Sequence, residues 1–133
     1  MIHIVDRIID YYLYPSVKNN SALVYPTYNV GGTECLVVTR DDATCWMLYC
    51  HGNAVTLQDL YSSGVASNIA EKCKCNFVAP AYPENASIGR THDSAIVSAV
   101  RAAYDRICDD HGDQVYVAGR SLGVGVALAA CCN

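Results

Sequence analysis

The sequence predicts an α/β fold, in which a mostly parallel sheet carries flanking helices on its faces. Apolar runs of strand length alternate with longer segments in which apolar residues recur at helical spacing. Strand followed by helix, repeated three times, is typical of parallel sheets with helical crossovers. With 133 residues, 52% of them hydrophobic and 17% charged, the chain is large enough for one domain with its own core.

The expected strands are bounded by turn-forming residues. They cover residues 35–39, 45–50, 76–81 and 114–118. The clearest, residues 45–50, reads Cys-Trp-Met-Leu-Tyr-Cys, an unbroken apolar run that predicts a strand buried on both faces. Residues 40–42, Arg-Asp-Asp, predict the turn before it. Residues 19–33 are expected to be loop, with one short strand near 22–25, because Tyr-Pro and Gly-Gly pairs interrupt them.

Each expected helix follows one of these strands. The helices cover residues 56–74, 91–111 and 122–132. The first has apolar residues at helical spacing from Leu57 to Ile69, with Gly64 weakening its middle. The second begins at Thr91, a residue type that caps helix N termini, and ends near Gly112. The third is small and apolar throughout.

The N-terminal segment, residues 1–18, is expected to be an amphipathic addition to the domain. Its apolar residues fall near helical spacing and would pack against the rest of the chain. The alternative is an interfacial membrane contact through its tyrosines. Only Arg7 and Lys18 are basic there, so attraction to anionic lipid would be weak.

We interpret residues 1–133 as a single incomplete domain with its core in residues 35–132.

Composition argues against several classes of protein. The net charge is −4 and no run is rich in Lys or Arg, which disfavours nucleic acid as a partner. Cys73-Lys74-Cys75 lacks a paired C-x-x-C or nearby His, so no metal and no cofactor is expected. The eight cysteines fall mostly in predicted strands and helices, which favours reduced thiols in a cytoplasmic protein. No signal peptide is visible, and the longest apolar run is shorter than the roughly 20 residues of a spanning helix.

Chemistry is expected at the turn between the last strand and the last helix. Residues 119–123 read Gly-Arg-Ser-Leu-Gly and fit G-x-S-x-G, which places Ser121 on a sharp strand-to-helix turn. A serine nucleophile needs a base and two donors for the oxyanion. The Leu122 backbone N–H is one candidate donor. The loop after strand 45–50 reads His-Gly-Asn-Ala, and the Asn53 N–H is the second candidate, with His51 shaping the turn.

These residues resemble the α/β-hydrolase superfamily. The pair H-G-N-A and G-x-S-[LI]-G is similar to the Bem-type and protein-depalmitoylase-like branch, over roughly residues 35–132. The resemblance implies an esterase or thioesterase that acts on small-molecule or lipid-acyl substrates, including acylated proteins, with Ser121 as nucleophile. The branch usually carries D-Y-x-G-x-G-x-S where this chain reads Ala-Tyr-Pro-Glu-Asn-Ala-Ser-Ile-Gly at 81–89, and Arg120 replaces the usual Gln or His. Ten residues follow Gly123 and none is acidic or His, so the triad acid and His are expected beyond residue 133.

Two other interpretations remain open at this stage. The first is a non-catalytic, truncated or degenerate hydrolase fold that acts as a binding module, because the chain lacks the triad acid and base. Within the chain, His92, beside Asp93 at a helix start, is a local candidate base, although a capping role fits it better.

The second interpretation is a doubly wound nucleotide-binding protein, which the absence of a P-loop and of G-x-G-x-x-G disfavours.

Overall fold

The computed structural model describes residues 25–52, 55–83, 94–112 and 114–132. Within these ranges it contains five strands and four helices. The strands are β1 (Thr27–Val30), β2 (Thr33–Val38), β3 (Cys45–Cys50), β4 (Cys75–Pro80) and β5 (Val115–Gly119). The helices are α1 (Leu57–Ser62), α2 (Val65–Cys73), α3 (Ser94–His111) and α4 (Leu122–Cys131). The predictions for residues 1–18, Asn53, Thr91 and His92 lie outside the described residues.

The strands form one mixed sheet in the order β1-β2-β4-β3-β5. β3 lies between β4 and β5 and runs parallel to both, as predicted for strands joined by helices. β2 pairs antiparallel with β4, and β1 pairs antiparallel with β2. The α/β fold with flanking helices is therefore confirmed, and both antiparallel pairings involve β2, the second strand of the chain.

The first strand was not predicted at its position. Residues 19–33 were expected to be loop with one short strand near 22–25, where only residue 25 is described, whereas β1 lies at Thr27–Val30 and forms a hairpin with β2. Gly31 and Gly32 have φ of 62° and 89° and form the two-residue turn, a conformation that glycine adopts without steric cost. The Gly32 N–H donates to Asn29 Oδ1 at 2.9 Å, which stabilises the turn. The Gly-Gly pair is therefore a hairpin turn rather than an interruption.

The helix expected over residues 56–74 is divided into α1 and α2. Gly64, whose φ is 81°, separates them, so the predicted weak point is a break. α1 begins with a capping box, in which Thr56 Oγ1 accepts from the Asp59 N–H and the Asp59 carboxylate accepts from the Thr56 N–H, both at 3.0 Å. α3 ends at His111 and is followed by Gly112 with φ of 62°, as predicted.

The core lies on both faces of the sheet. Along β3, Met47 and Tyr49 pack with α1 and α2, whereas Leu48 and Cys50 pack with α3 and α4. All four side chains are buried, which confirms the prediction of a strand covered on both sides. None of the described helices is long and apolar enough to cross a membrane. This two-sided core fixes the carboxyl ends of β3, β4 and β5 at one edge of the sheet, where the candidate site lies.

Candidate active site

Ser121 occupies a strained turn between β5 and α4. Its φ is 52° and its ψ is −120°, a combination that a residue with a Cβ rarely adopts. Such backbone strain costs on the order of 1–3 kcal/mol and persists only where the surroundings enforce it. The residue is exposed, although β5 before it and the start of α4 after it are buried. The predicted strand-turn-helix context of the serine is thus present.

Two glycines let the turn pack closely. A Cβ on Gly123 would overlap the Cys50 carbonyl oxygen and lie 2.5 Å from its carbon. A Cβ on Gly119 would lie 2.6 Å from the Gly123 carbonyl oxygen. The Arg120 N–H also donates to the Cys50 carbonyl at 3.1 Å. The first turn of α4 therefore rests directly on the end of β3, with no room for a side chain between them.

The amino end of α4 presents backbone N–H groups at the turn. The Gly123 N–H donates to the Arg120 carbonyl at 2.8 Å, and the Val124 N–H donates to the Ser121 carbonyl at 3.0 Å. The Leu122 N–H has no hydrogen-bond partner among the residues that the structure describes. A first-turn N–H without an intrahelical acceptor, next to the helix dipole, is suited to bind an anion.

The turn that follows β3 lies beside this serine. A Cβ built on Gly52 would lie 3.4 Å from the Arg120 carbonyl oxygen and 3.6 Å from Ser121 Cβ. These are ordinary van der Waals distances, so the two loops are in contact at the same edge of the sheet. Asn53, the predicted second oxyanion donor, lies outside the described residues. Its neighbour Gly52 marks where the chain reaches the site.

His51 is a buried support of this turn. It is 6% exposed, and its Nδ1 lies 3.1 Å from the Gly52 carbonyl oxygen, to which a protonated Nδ1 donates. Burial lowers the pKa of His51 below its ordinary value, although hydrogen bonds with the backbone of Gly52 and Pro80 act in the opposite direction. The imidazole is therefore neutral near neutral pH and shapes the turn, as expected from the sequence.

Tyr82 is a site residue that sequence reasoning missed. It lies just after β4, and its hydroxyl donates to the His51 carbonyl oxygen at 2.7 Å. Its ring stacks on the His51 imidazole with centroids 3.9 Å apart and planes 23° apart. Burial raises the pKa of the Tyr82 phenol well above its usual range. The available signal was the tyrosine of D-Y-x-G-x-G-x-S, which this chain keeps at position 82 although it lacks the preceding Asp.

A cavity of about 760 Å³ opens next to the turn. Its walls include residues of β2, of the turn after β3, of the start of α1 and of the segment after β4. The lining is Tyr25, Gly32, Thr33, Glu34, His51, Gly52, Val55, Thr56, Leu57, Ala81, Tyr82, Pro83 and Ala99. A cavity of this size, with mixed polar and apolar walls, is typical of small-molecule sites. Gly52 lines this cavity and also lies beside the strand-to-helix turn that carries Ser121.

The cysteines do not form a second chemical centre in the described part of the chain. All eight are free thiols, and no group of three or more His, Cys, Asp or Glu residues within the described ranges is arranged to hold a metal. Burial raises the pKa of Cys35 and of Cys75 to about 12. These thiols are therefore protonated near neutral pH and act as small apolar residues.

Solved structures of esterases and lipases share this fold. No protein-family model and no curated protein matches the chain. An esterase/lipase from an uncultured bacterium matches with a TM-score of 0.65 and 20% identity over 86% of this chain and 40% of its own. A hormone-sensitive lipase from a metagenome library matches with a TM-score of 0.66 and 20% identity over 88% of this chain and 40% of its own. An esterase of the bacterial hormone-sensitive lipase family matches with a TM-score of 0.63 and 22% identity over 86% and 39%, respectively.

These matches concern the fold, because the identities are low. The chain spans about 40% of the length of the structures that it resembles. In its fold, the chain resembles the N-terminal portion of the α/β-hydrolase esterases.

Proposed function

We propose that this chain is the nucleophile-bearing part of a serine hydrolase of acyl esters or thioesters. Ser121 Oγ attacks the acyl carbonyl carbon, and the N–H groups of Leu122 and Asn53 stabilise the oxyanion that develops. Collapse of the tetrahedral intermediate expels the alcohol or thiol and leaves an acyl group on Ser121. Water then attacks that ester, releases the carboxylic acid and restores the hydroxyl.

The observation that carries the proposal is the backbone of Ser121. A serine with φ of 52° is held between a buried strand and a helix that starts at the next residue. A serine that only turned the chain would be replaced at lower free energy by glycine at this φ. The strain is consistent with a hydroxyl that must be exposed at the end of β5, above the amino end of α4.

The base and the acid are proposed to come from sequence that follows residue 133. A serine hydroxyl is weakly nucleophilic until a base removes its proton, and the order Ser, then Asp or Glu, then His is that of the α/β-hydrolase triad.

We also propose that residues 1–133 belong to one incomplete domain with its core in residues 35–132. The proposed location of the protein is the cytoplasm, and a peripheral contact with a membrane is the alternative.

The substrate is proposed to carry a lipid acyl group. The lining of the cavity next to Gly52 includes Val55, Leu57 and Ala81, which suit a hydrocarbon chain. The sequence resemblance to the Bem-type and depalmitoylase-like branch adds acylated proteins to the candidate substrates. No metal or cofactor takes part in this mechanism, and the net charge of −4 disfavours a nucleic-acid partner.

The test is covalent labelling of the full-length protein that contains this chain. A fluorophosphonate probe should modify Ser121, and mass spectrometry of the labelled peptide should locate the adduct there. Ser121→Ala should abolish labelling, whereas Ser62→Ala should not, because the Ser62 hydroxyl donates to the Gln58 carbonyl at 2.7 Å and belongs to α1. Comparing the hydrolysis rates of an oxygen ester and a thioester with the same acyl group would then distinguish esterase from thioesterase activity.

The non-catalytic interpretation predicts a different result. A binding module with this fold would remain folded and would bind an acyl ligand without transferring the acyl group. Full-length protein that unfolds cooperatively, yet shows no adduct on Ser121 after prolonged incubation, would contradict the hydrolase proposal and support the binding module.

A further inference from the structure

We infer that Tyr82 is a positioning residue, whose hydroxyl holds the turn formed by His51 and Gly52 against the strand-to-helix turn at Ser121. This inference rests on the proposed function, because the turn matters for catalysis only if it carries an oxyanion donor. Tyr82 itself follows β4, which lies on the other side of β3 from β5, and its hydroxyl contacts the His51 carbonyl oxygen.

Tyr82 restrains the turn at two points. Its hydroxyl donates to the His51 carbonyl oxygen at 2.7 Å, and its ring covers the His51 imidazole at 3.9 Å. The imidazole in turn approaches the Gly52 carbonyl through Nδ1 at 3.1 Å. In the Nδ1–H tautomer of His51, one tyrosine and the histidine against which it stacks therefore hold two successive carbonyl groups of the turn.

Planarity of the peptide unit converts these contacts into control of the N–H groups. Because the C=O and N–H of a peptide unit share one plane, a restrained carbonyl also fixes the direction of the N–H on its other side. The His51 carbonyl fixes the Gly52 N–H in this way. The unit that begins at the Gly52 carbonyl is the one whose N–H is proposed as the second oxyanion donor.

The protonation states support a permanent restraint. Burial keeps the Tyr82 phenol protonated through the neutral range, so it remains a hydrogen-bond donor. Burial also favours the neutral form of His51, whose single ring N–H donates to the Gly52 carbonyl in the Nδ1–H tautomer and is then not available to the backbone of Pro80. Neither contact depends on a substrate, so the turn is arranged before binding, as electrostatic preorganisation requires.

The test is Tyr82→Phe in the full-length protein. The substitution removes the hydroxyl and keeps the ring stack, so folding should be retained. We expect the rate constant for fluorophosphonate labelling of Ser121 to fall about 10- to 100-fold, less than or similar to the loss of one oxyanion donor. With a p-nitrophenyl ester, kcat should fall while KM changes little. Tyr28→Phe, at an exposed position on β1, is the matched control and should react like the wild type.

A second measurement does not depend on catalysis. In an ¹⁵N-labelled sample, Tyr82→Phe should move the Gly52 amide resonance, because the neighbouring carbonyl loses its hydrogen bond, while amides of α2 remain in place. A folded Tyr82→Phe protein with wild-type labelling kinetics, or with an unmoved Gly52 resonance, would overturn the inference. If the wild-type protein is not labelled at all, the proposed function fails, and the Gly52 resonance still decides whether Tyr82 restrains the turn.

Discussion

The contact between the first turn of α4 and the end of β3 can be tested by adding one methyl group at a time. Gly123→Ala would force a methyl group into the Cys50 carbonyl, 2.5 Å from its carbon and inside contact distance of its oxygen. The same methyl would lie 2.8 Å from the His51 carbonyl oxygen. Both obstacles are backbone atoms of a buried strand end, so no side chain can rotate away to relieve the overlap.

The three glycines of the site predict a graded series. Overpacking typically costs about 1–3 kcal/mol and more when backbone must move, so Gly123→Ala should lower the free energy of unfolding by about 3 kcal/mol or more. Gly119→Ala, with its nearest contact at 2.6 Å, should cost about 1–3 kcal/mol. Gly52→Ala, with contacts of 3.4 and 3.6 Å, places its methyl at ordinary contact distance and should be the least destabilising of the three.

Equilibrium unfolding in urea of the three variants and the wild type would measure this order. Alanine is favoured over glycine inside helices by about 1 kcal/mol. The measured decrease in the free energy of unfolding of Gly123→Ala should therefore be smaller than the energetic cost of the steric overlap alone. Gly52→Ala is also informative in the labelling assay, because its methyl would lie 3.6 Å from Ser121 Cβ. If Gly123→Ala unfolds at the same urea concentration as Gly52→Ala, α4 does not rest on β3 as described.

Three further outcomes follow from single residues. Ser121→Gly should raise the free energy of unfolding by about 1–3 kcal/mol, because glycine relieves the strain at φ of 52°, whereas Ser121→Ala should not; equal urea midpoints would refute the strain. Because burial lowers the pKa of His51, the unfolded chain binds a proton more readily than the folded protein, and stability should be lost as pH falls below the ordinary value of 6.5. His51→Gln should reduce the loss of stability between pH 7.5 and 5.5, and a wild-type dependence of stability on pH in His51→Gln would contradict the argument. Thr56→Ala should cost about 0.5–2 kcal/mol by removing the cap of α1, and Thr56→Ser should restore most of it in the same urea assay.

Strands buried on both faces could be predicted from the sequence almost to the residue. β3 was expected at residues 45–50 and is found there, because an apolar run of six residues between turn signals leaves little alternative. β1 could not be predicted in the same way. It lies at the sheet edge, its first three residues are exposed, and Tyr28 is 58% exposed, so the run carries no apolar periodicity.

The pairing of β2 was also beyond the sequence. A short turn links β2 to β3, which would suggest neighbouring strands, yet β4 inserts between them. Insertion depends on long-range burial of β4 on both faces, which no local pattern encodes. The same holds for Tyr82, because its hydrogen bond to His51 joins residues 31 positions apart. The motif at Ser121, by contrast, is local in the chain and its strained turn was predicted from five residues.

The strand order explains why the candidate site has its particular parts. β3 lies between β4 and β5, so the turn after β3 is contacted both by the strand-to-helix turn after β5 and by Tyr82 after β4. An oxyanion donor needs to be close to the nucleophile and rigid, and two different neighbouring segments meet these requirements. Gly52 and Gly123 provide the closeness by omitting side chains where β3 meets the strand-to-helix turn. Tyr82 provides the rigidity, which is why we expect removal of one hydroxyl there to change the reactivity of Ser121 more than the stability of the fold.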